Sequence, residues 1–266
     1  MEVLANKSVV FWEVCAGSAA LYRSLVSSPK LMGSMGAKDG YVEAIKEAWG
    51  LPYSFDSYHL NDPGPWGVVW KGLVTDYARV ADYIESRLGD DPKLLWRECY
   101  ESDWGIGGFE AAAKVILRLA STHGGCEIGG FKGRHKLRPN VDGFIPSRAS
   151  LAHRVRSFSC HERTTISRLD ISDLNPSPGD FVYIDPPYNS TTKYEVQSLD
   201  RPRVIDYALR LAESGCNVCV SESSDMDLQG WRRVDITNRR VGQYRKNSKS
   251  ACELLFMSPI RQKGYR

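Results

Sequence analysis

The chain of 266 residues predicts an α/β fold, a doubly wound and mostly parallel sheet broken by a mostly helical insertion. Three observations carry that expectation. The apolar run Phe181-Val182-Tyr183-Ile184 reads as a strand buried on both faces, as parallel strands are. It is stopped by Asp185-Pro186-Pro187-Tyr188, whose prolines cannot donate ladder hydrogen bonds. Near the N-terminus, Ser8 to Trp12 reads as a strand, followed by the small-residue turn Glu13-Val14-Cys15-Ala16-Gly17-Ser18-Ala19 and an apolar-periodic helix from Ala20 to Val26.

The remaining elements follow in order. After the strand and helix of residues 8–27 come a glycine-rich segment and helix at 33–49, then a second strand near 53–60 that ends in Asn61-Asp62. An acid at that place can bind ribose hydroxyls, and because Pro63-Gly64-Pro65 follows, Asp62 also reads as an aspartate opening a turn. The insertion spans 64–157 and divides the core into 1–63 and 158–266; helical apolar spacing marks Val74 to Leu88, Lys93 to Tyr100 and Phe109 to Leu119. The core resumes with strands near 163–169 and 181–184 and a helix over 201–214, with Asp200 as its cap and Pro202 in its first turn. A strand at 216–221 and an antiparallel pair, Val234 to Val241 and Cys252 to Met257, complete the sheet.

Composition narrows the function classes. A hydrophobic content of 42% with 25% charged residues is that of a globular protein able to bury a core. No apolar run reaches membrane-spanning length and no secretion signal opens the chain, so a cytoplasmic protein is expected. Seven cysteines, an odd count, fit reduced thiols rather than a disulfide framework. Cys216-Asn217-Val218-Cys219 has metal-like spacing, but residues three apart on a strand point to opposite faces and no second ligand pair completes a zinc site, so no metal is expected. One glycine in the N-terminal turn falls short of the dinucleotide fingerprint, and no P-loop pattern occurs. The turn also reads as an ordinary strand-to-helix junction.

Asp185-Pro186-Pro187-Tyr188 carries the chemistry. Ligands of open α/β sheets bind outside the carboxyl ends of the strands, and there the tetrapeptide leaves a carboxylate, a carbonyl and an aromatic ring. The exocyclic amine of adenine or cytosine is a poor nucleophile because its lone pair is delocalised into the ring. If Asp185 and the Pro186 carbonyl both accept from that amine, the nitrogen is drawn toward tetrahedral geometry, and Tyr188 can stack on a base taken out of the duplex. The bland alternative is a strand, a Pro-Pro turn and a surface tyrosine.

The ordered set of motifs resembles the Dam-type (D12 class) adenine-N6 DNA methyltransferases over nearly the whole chain. Glu13 to Ala19 resembles their Glu-Pro-Phe-x-Gly-x-Gly cofactor loop, Leu60-Asn61-Asp62 their ribose-binding acid, and Asp185-Pro186-Pro187-Tyr188 their catalytic tetrapeptide. Gly107 to Gly133 resembles the helix and loop of target recognition, and Asn140-Val141-Asp142-Gly143-Phe144-Ile145-Pro146 the segment after it. Thr165 to Asp170 resembles the strand whose terminal acid lies near the cofactor adenine. The resemblance implies a Rossmann-like S-adenosylmethionine-dependent methyltransferase sheet, with Glu13, Cys15, Ala16, Gly17, Ser18, Asp62, Asp170 and Asp185 at the cofactor and residues 64–157 as a DNA target-recognition insertion. The Gly-Gly-Lys segment that precedes the family's cofactor loop has its nearest match after the loop, in Met32-Gly33-Ser34-Met35-Gly36-Ala37-Lys38, which would place Gly36 and Lys38 at the cofactor. Val14 and Ala19 replace the family's proline and last glycine.

A net charge of +3 does not by itself indicate a nucleic-acid partner, so the placement of the basic residues matters. Lys132, Arg134, His135, Lys136 and Arg138 lie in a Gly-rich stretch, with Arg148, Arg154 and Arg156 after them; Arg232, Arg233, Arg239, Arg240, Arg245, Lys246 and Lys249 flank the last two strands. Either run also reads as a solvated surface, but two runs flanking one face fit phosphate contact. By resemblance, residues 129–138 read sequence and 243–249 contact the backbone of double-stranded DNA. The expectation is direct methyl transfer to adenine N6 by a monomer or homodimer, suited to a bacterial chromosome or a phage genome, with or without a restriction partner. Cytosine N4, an RNA adenine and a catalytically inactive DNA-binding homologue are the alternatives.

Overall fold

The computed structural model describes residues 8–28, 30–31, 39–49, 55–122, 127, 143–144, 146–186, 200–238 and 251–259. Among them, one sheet contains β1 (Val10–Val14), β2 (Ser57–Asn61), β3 (Thr164–Ser167), β4 (Phe181–Ile184), β5 (Asn217–Glu222), β6 (Arg232–Asn238) and β7 (Ala251–Met257), in the order β3-β2-β1-β4-β5-β7-β6. The first five strands are parallel, and β7 runs antiparallel to both β5 and β6. This is the open, mostly parallel Rossmann-like α/β sheet expected from the sequence. The strand order reverses between β1 and β4, which is where such sheets open a ligand crevice.

The described residues include seven α-helices: α1 (Ala20–Val26), α2 (Asp39–Trp49), α3 (Pro65–Ser86), α4 (Pro92–Glu101), α5 (Gly108–Ser121), α6 (Arg148–Arg156) and α7 (Arg201–Glu213). Alternation along the strands feeds two cores. Phe11, Tyr58, Leu60, Tyr183 and Cys219 enter one, with residues of α1, α2, α3, α5 and α6. Val14, Val182, Ile184, Val218 and Val220 enter the other, beneath Val204, Tyr207, Ala208 and Leu211 of α7. Cys216 and Cys219 fall in opposite cores, as a spacing of three on a strand requires. Asp200 accepts from the Arg203 amide at 2.9 Å and caps α7 as expected, a contact worth about 1 kcal/mol.

Two helices differ from the sequence reading. Helix α3 begins at Pro65, well before Val74, because Pro65 suits a first turn and Trp66, Val68, Val69, Trp70 and Leu73 are all buried, which removes the one-sided period. Its first turn lies hard against the end of β2: a Cβ on Gly67 would come within 2.0 Å of the Asp62 carbonyl oxygen. Helix α6 was not expected. Ser147 caps it, and it packs on α3, which itself lies against β2 and β3, within the first core.

Helix α6 also carries the arginines that follow the first basic run. Arg148 is buried and donates to the carbonyls of Arg87 and Asp90, Arg154 donates to the Leu31 carbonyl at 3.1 Å, and Arg156 pairs with Asp82 and Glu85. All three arginines thus have partners within the protein. No helix among the described residues is long and apolar enough to cross a membrane.

Candidate active site

The strand β1 extends to Val14, so the turn starts at Cys15. Cys15, Gly17 and Ala19 all take left-handed backbone angles, with φ of 57°, 47° and 45°. Such angles cost a side-chain-bearing residue about 1–2 kcal/mol, so the loop needs compensating bonds. It has several. The Gly17 amide donates to Asp62 Oδ2 at 2.7 Å, the Gly17 carbonyl accepts from Trp70 Nε1 at 2.7 Å, and the Ala16 amide donates to the Asn61 carbonyl at 2.9 Å.

Glu13 has a different place from the one expected. Ala19, the residue before α1, has no side-chain oxygen with which to cap it; the fully buried Glu13 carboxylate does so from the strand below, accepting from the amides of Leu21 and Tyr22 at 3.3 and 2.6 Å. It supports the loop from within the core, which corrects its assignment as a ligand contact.

Three of the expected acids do converge. Asp62 follows β2, Asp170 follows β3, and Asp185 directly follows β4, its amide donating to the Val14 carbonyl at 3.1 Å. Their common neighbour is the Cys15 thiol, which burial first, and then Asp62, Asp185 and Asp170, push well above its usual range. Cys15 is therefore a neutral thiol within an acidic rim.

Each acid is oriented differently. The Asp62 carboxyl is raised by burial, against the opposing pull of the Gly17, Gly64 and Gly67 amides and of Arg168. One of its oxygens takes Gly17 and the other takes Gly64 at 2.8 Å. A carboxylate offers about four acceptor positions, so capacity for a hydroxyl remains. Asp170 accepts from the hydroxyl and amide of Ser172 and from Arg203, which hold its carboxyl down at about 2. Beside it, Ile171, Ser172, Arg203, Asp206, Tyr207 and Arg210 line a shallow cleft of about 200 Å³, smaller than a typical small-molecule site.

Asp185 is half-buried, Pro186 is buried, and Asp185 Oδ1 accepts from the Ser221 hydroxyl at 2.6 Å. Ser221 in turn accepts from the Tyr183 hydroxyl at 2.9 Å. Sequence reasoning missed Ser221 and Tyr183. The available signal was the polar pair Ser221-Glu222 closing the apolar run Val218-Cys219-Val220, beside the strand that Asp185 follows.

Several expected site residues lie outside the described residues: Pro187 and Tyr188 of the tetrapeptide, Gly36 and Lys38, and the basic residues Lys132, Arg134, Lys136, Arg138, Arg239, Arg240, Arg245, Lys246 and Lys249. Of the second basic run, Arg233 is described and pairs with Asp225 and Asp235.

The site offers an acidic rim above a small-residue loop at the switch point. No protein-family model matches the chain, and no curated protein does. Among solved structures the chain is similar to the rRNA methyltransferase aviRa from Streptomyces viridochromogenes, at 15% identity, 96% coverage of this chain, 77% coverage of that one and a TM-score of 0.37.

Proposed function

We propose that the chain is an S-adenosylmethionine-dependent methyltransferase acting on the N6 amine of an adenine extruded from duplex DNA. The observation that carries this reading is the Asp185 carboxylate, set at the end of β4 across the switch point from the Cys15–Ala19 loop and held by Ser221. Cys15, Ala16, Gly17 and Ser18 would face the cofactor, Asp62 its ribose, and Asp170 its adenine. S-adenosylmethionine supplies, when bound, a methyl group already activated by a positive sulfur.

The chain's own residues then have two tasks. Asp185 and the Pro186 carbonyl accept from the two protons of the amine, which holds the nitrogen and redirects its lone pair. Tyr188 stacks on the base and replaces the stacking lost on extrusion. No covalent enzyme intermediate is needed, so the rate comes from alignment and from exclusion of water. Lys132, Arg134, Lys136 and Arg138, with Arg239, Arg240, Arg245, Lys246 and Lys249, would supply phosphate contacts, making affinity fall with salt.

The test is to sequence DNA from cells expressing the protein by a method that detects methylated bases. N6-methyladenine at a fixed short sequence is the expected result. Methylated cytosine would move the target to N4; unmodified DNA with newly methylated ribosomal RNA would move it to RNA. Absence of both, with no calorimetric binding of S-adenosylmethionine, would leave an inactive DNA-binding homologue.

A further inference from the structure

We propose that Ser221, itself fixed by Tyr183, is a positioning residue for the Asp185 carboxylate. This rests on the methyltransferase reading above and adds two residues to it. Extending the register that pairs Ile184 with Val220 sets Asp185 opposite Ser221, and alternation turns both toward the side of the sheet that Tyr183 faces. The Tyr183 hydroxyl donates to Ser221 Oγ at 2.9 Å, and Ser221 Oγ donates to Asp185 Oδ1 at 2.6 Å. The second bond has the short length of a charge-assisted contact, and the carboxylate end gives the series its direction.

Burial gives the arrangement its rigidity. Ser221 is fully buried and Tyr183 is 1% exposed. The Tyr183 ring meets Tyr41 edge-on at 6.4 Å, and the Tyr41 hydroxyl donates to Glu253 of β7. The orientation of Asp185 is thereby referred back through β5 to the α2 side of the sheet. Fixing one oxygen fixes the plane in which the carboxylate accepts from an amine.

The test compares wild type with Ser221→Ala, Ser221→Thr and Tyr183→Phe. For Ser221→Ala we expect kcat to fall about tenfold to a hundredfold, the scale set by a misaligned reacting group, with calorimetric affinity for S-adenosylmethionine unchanged. Tyr183→Phe should lose less, and Ser221→Thr, which keeps the hydroxyl, should recover most of kcat. Alongside, the carbon-13 resonance of the Asp185 carboxyl, assigned by its disappearance in Asp185→Ala, should move in Ser221→Ala and stay near its wild-type position in Ser221→Thr. A Ser221→Ala protein with wild-type kcat and an unmoved resonance overturns the assignment while leaving the methyltransferase reading intact. If the wild type transfers no methyl group, that reading falls, and the resonance alone decides whether Ser221 holds Asp185.

Discussion

The two strand ends that meet at the switch point are held by different means. After β1, the chain grips its own backbone: Asp62 takes the Gly17 amide, Trp70 donates to the Gly17 carbonyl, and Glu13 caps α1 from below. After β4, one more backbone bond, from the Asp185 amide to the Val14 carbonyl, precedes the proline, and there a side chain is gripped too, Asp185 through Ser221. A backbone grip shapes a surface against which a ligand can lie; a side-chain grip aims a group at a reacting atom. Under the proposed function, the difference assigns binding and chemistry to separable halves of one crevice.

The largest expected effect falls on the second half. Asp185→Ala should reduce methyl transfer about a thousandfold, the scale for removing a preorganised polar group, while calorimetric affinity for S-adenosylmethionine stays within a few-fold of wild type. Next is the support of the first half. Gly67→Ala places a Cβ 2.0 Å from the Asp62 carbonyl oxygen, so α3 must move off β2. Overpacking of that kind costs about 1–3 kcal/mol, or roughly 2–4 °C of melting temperature per kcal/mol for a domain near this size; an unchanged melting curve would show that the contact is not tight.

Asp62→Ala should weaken cofactor affinity about tenfold, near 1.4 kcal/mol, with kcat at saturating cofactor largely kept. If it instead lowered kcat as far as Asp185→Ala does, the division between the two halves would fail. The smallest effect concerns His59, whose ring nitrogens contact the hydroxyls of Thr165 and Ser167 at 2.8 and 2.7 Å. Burial lowers its pKa from 6.5 to about 4, so the unfolded chain binds a proton there before the folded one does. Stability contributed by neutral His59 is full above pH 6.5 and is lost as pH falls toward 4. Melting curves across that window should slope less in His59→Asn than in wild type.

How much of this was legible in the sequence depended on which physical signal each element left. The strand Phe181–Ile184 and the carboxylate after it were readable because an apolar run and a proline pair are local facts. Asp62, Asp170 and Asp185 were readable as acids that follow strands, and the sheet brings them around Cys15. The start of α3 was not, since a helix buried on several sides shows no period. Nor was the use of Glu13, because a strand residue capping a helix eight positions on is a contact in space. Ser221 was missed for the same reason: its partner is 36 residues away, and only the register of β4 on β5 brings them together.

The central claim is that this crevice methylates a nucleobase amine, and purified protein tests it most directly. Duplex DNA would be incubated with S-adenosylmethionine carrying an isotopically labelled methyl group, then digested and measured by nucleoside mass spectrometry. Labelled N6-methyladenine with wild type and none above background with Asp185→Ala is the predicted result. Equal labelling by the two proteins, or none by the wild type on either DNA or RNA, would contradict the account.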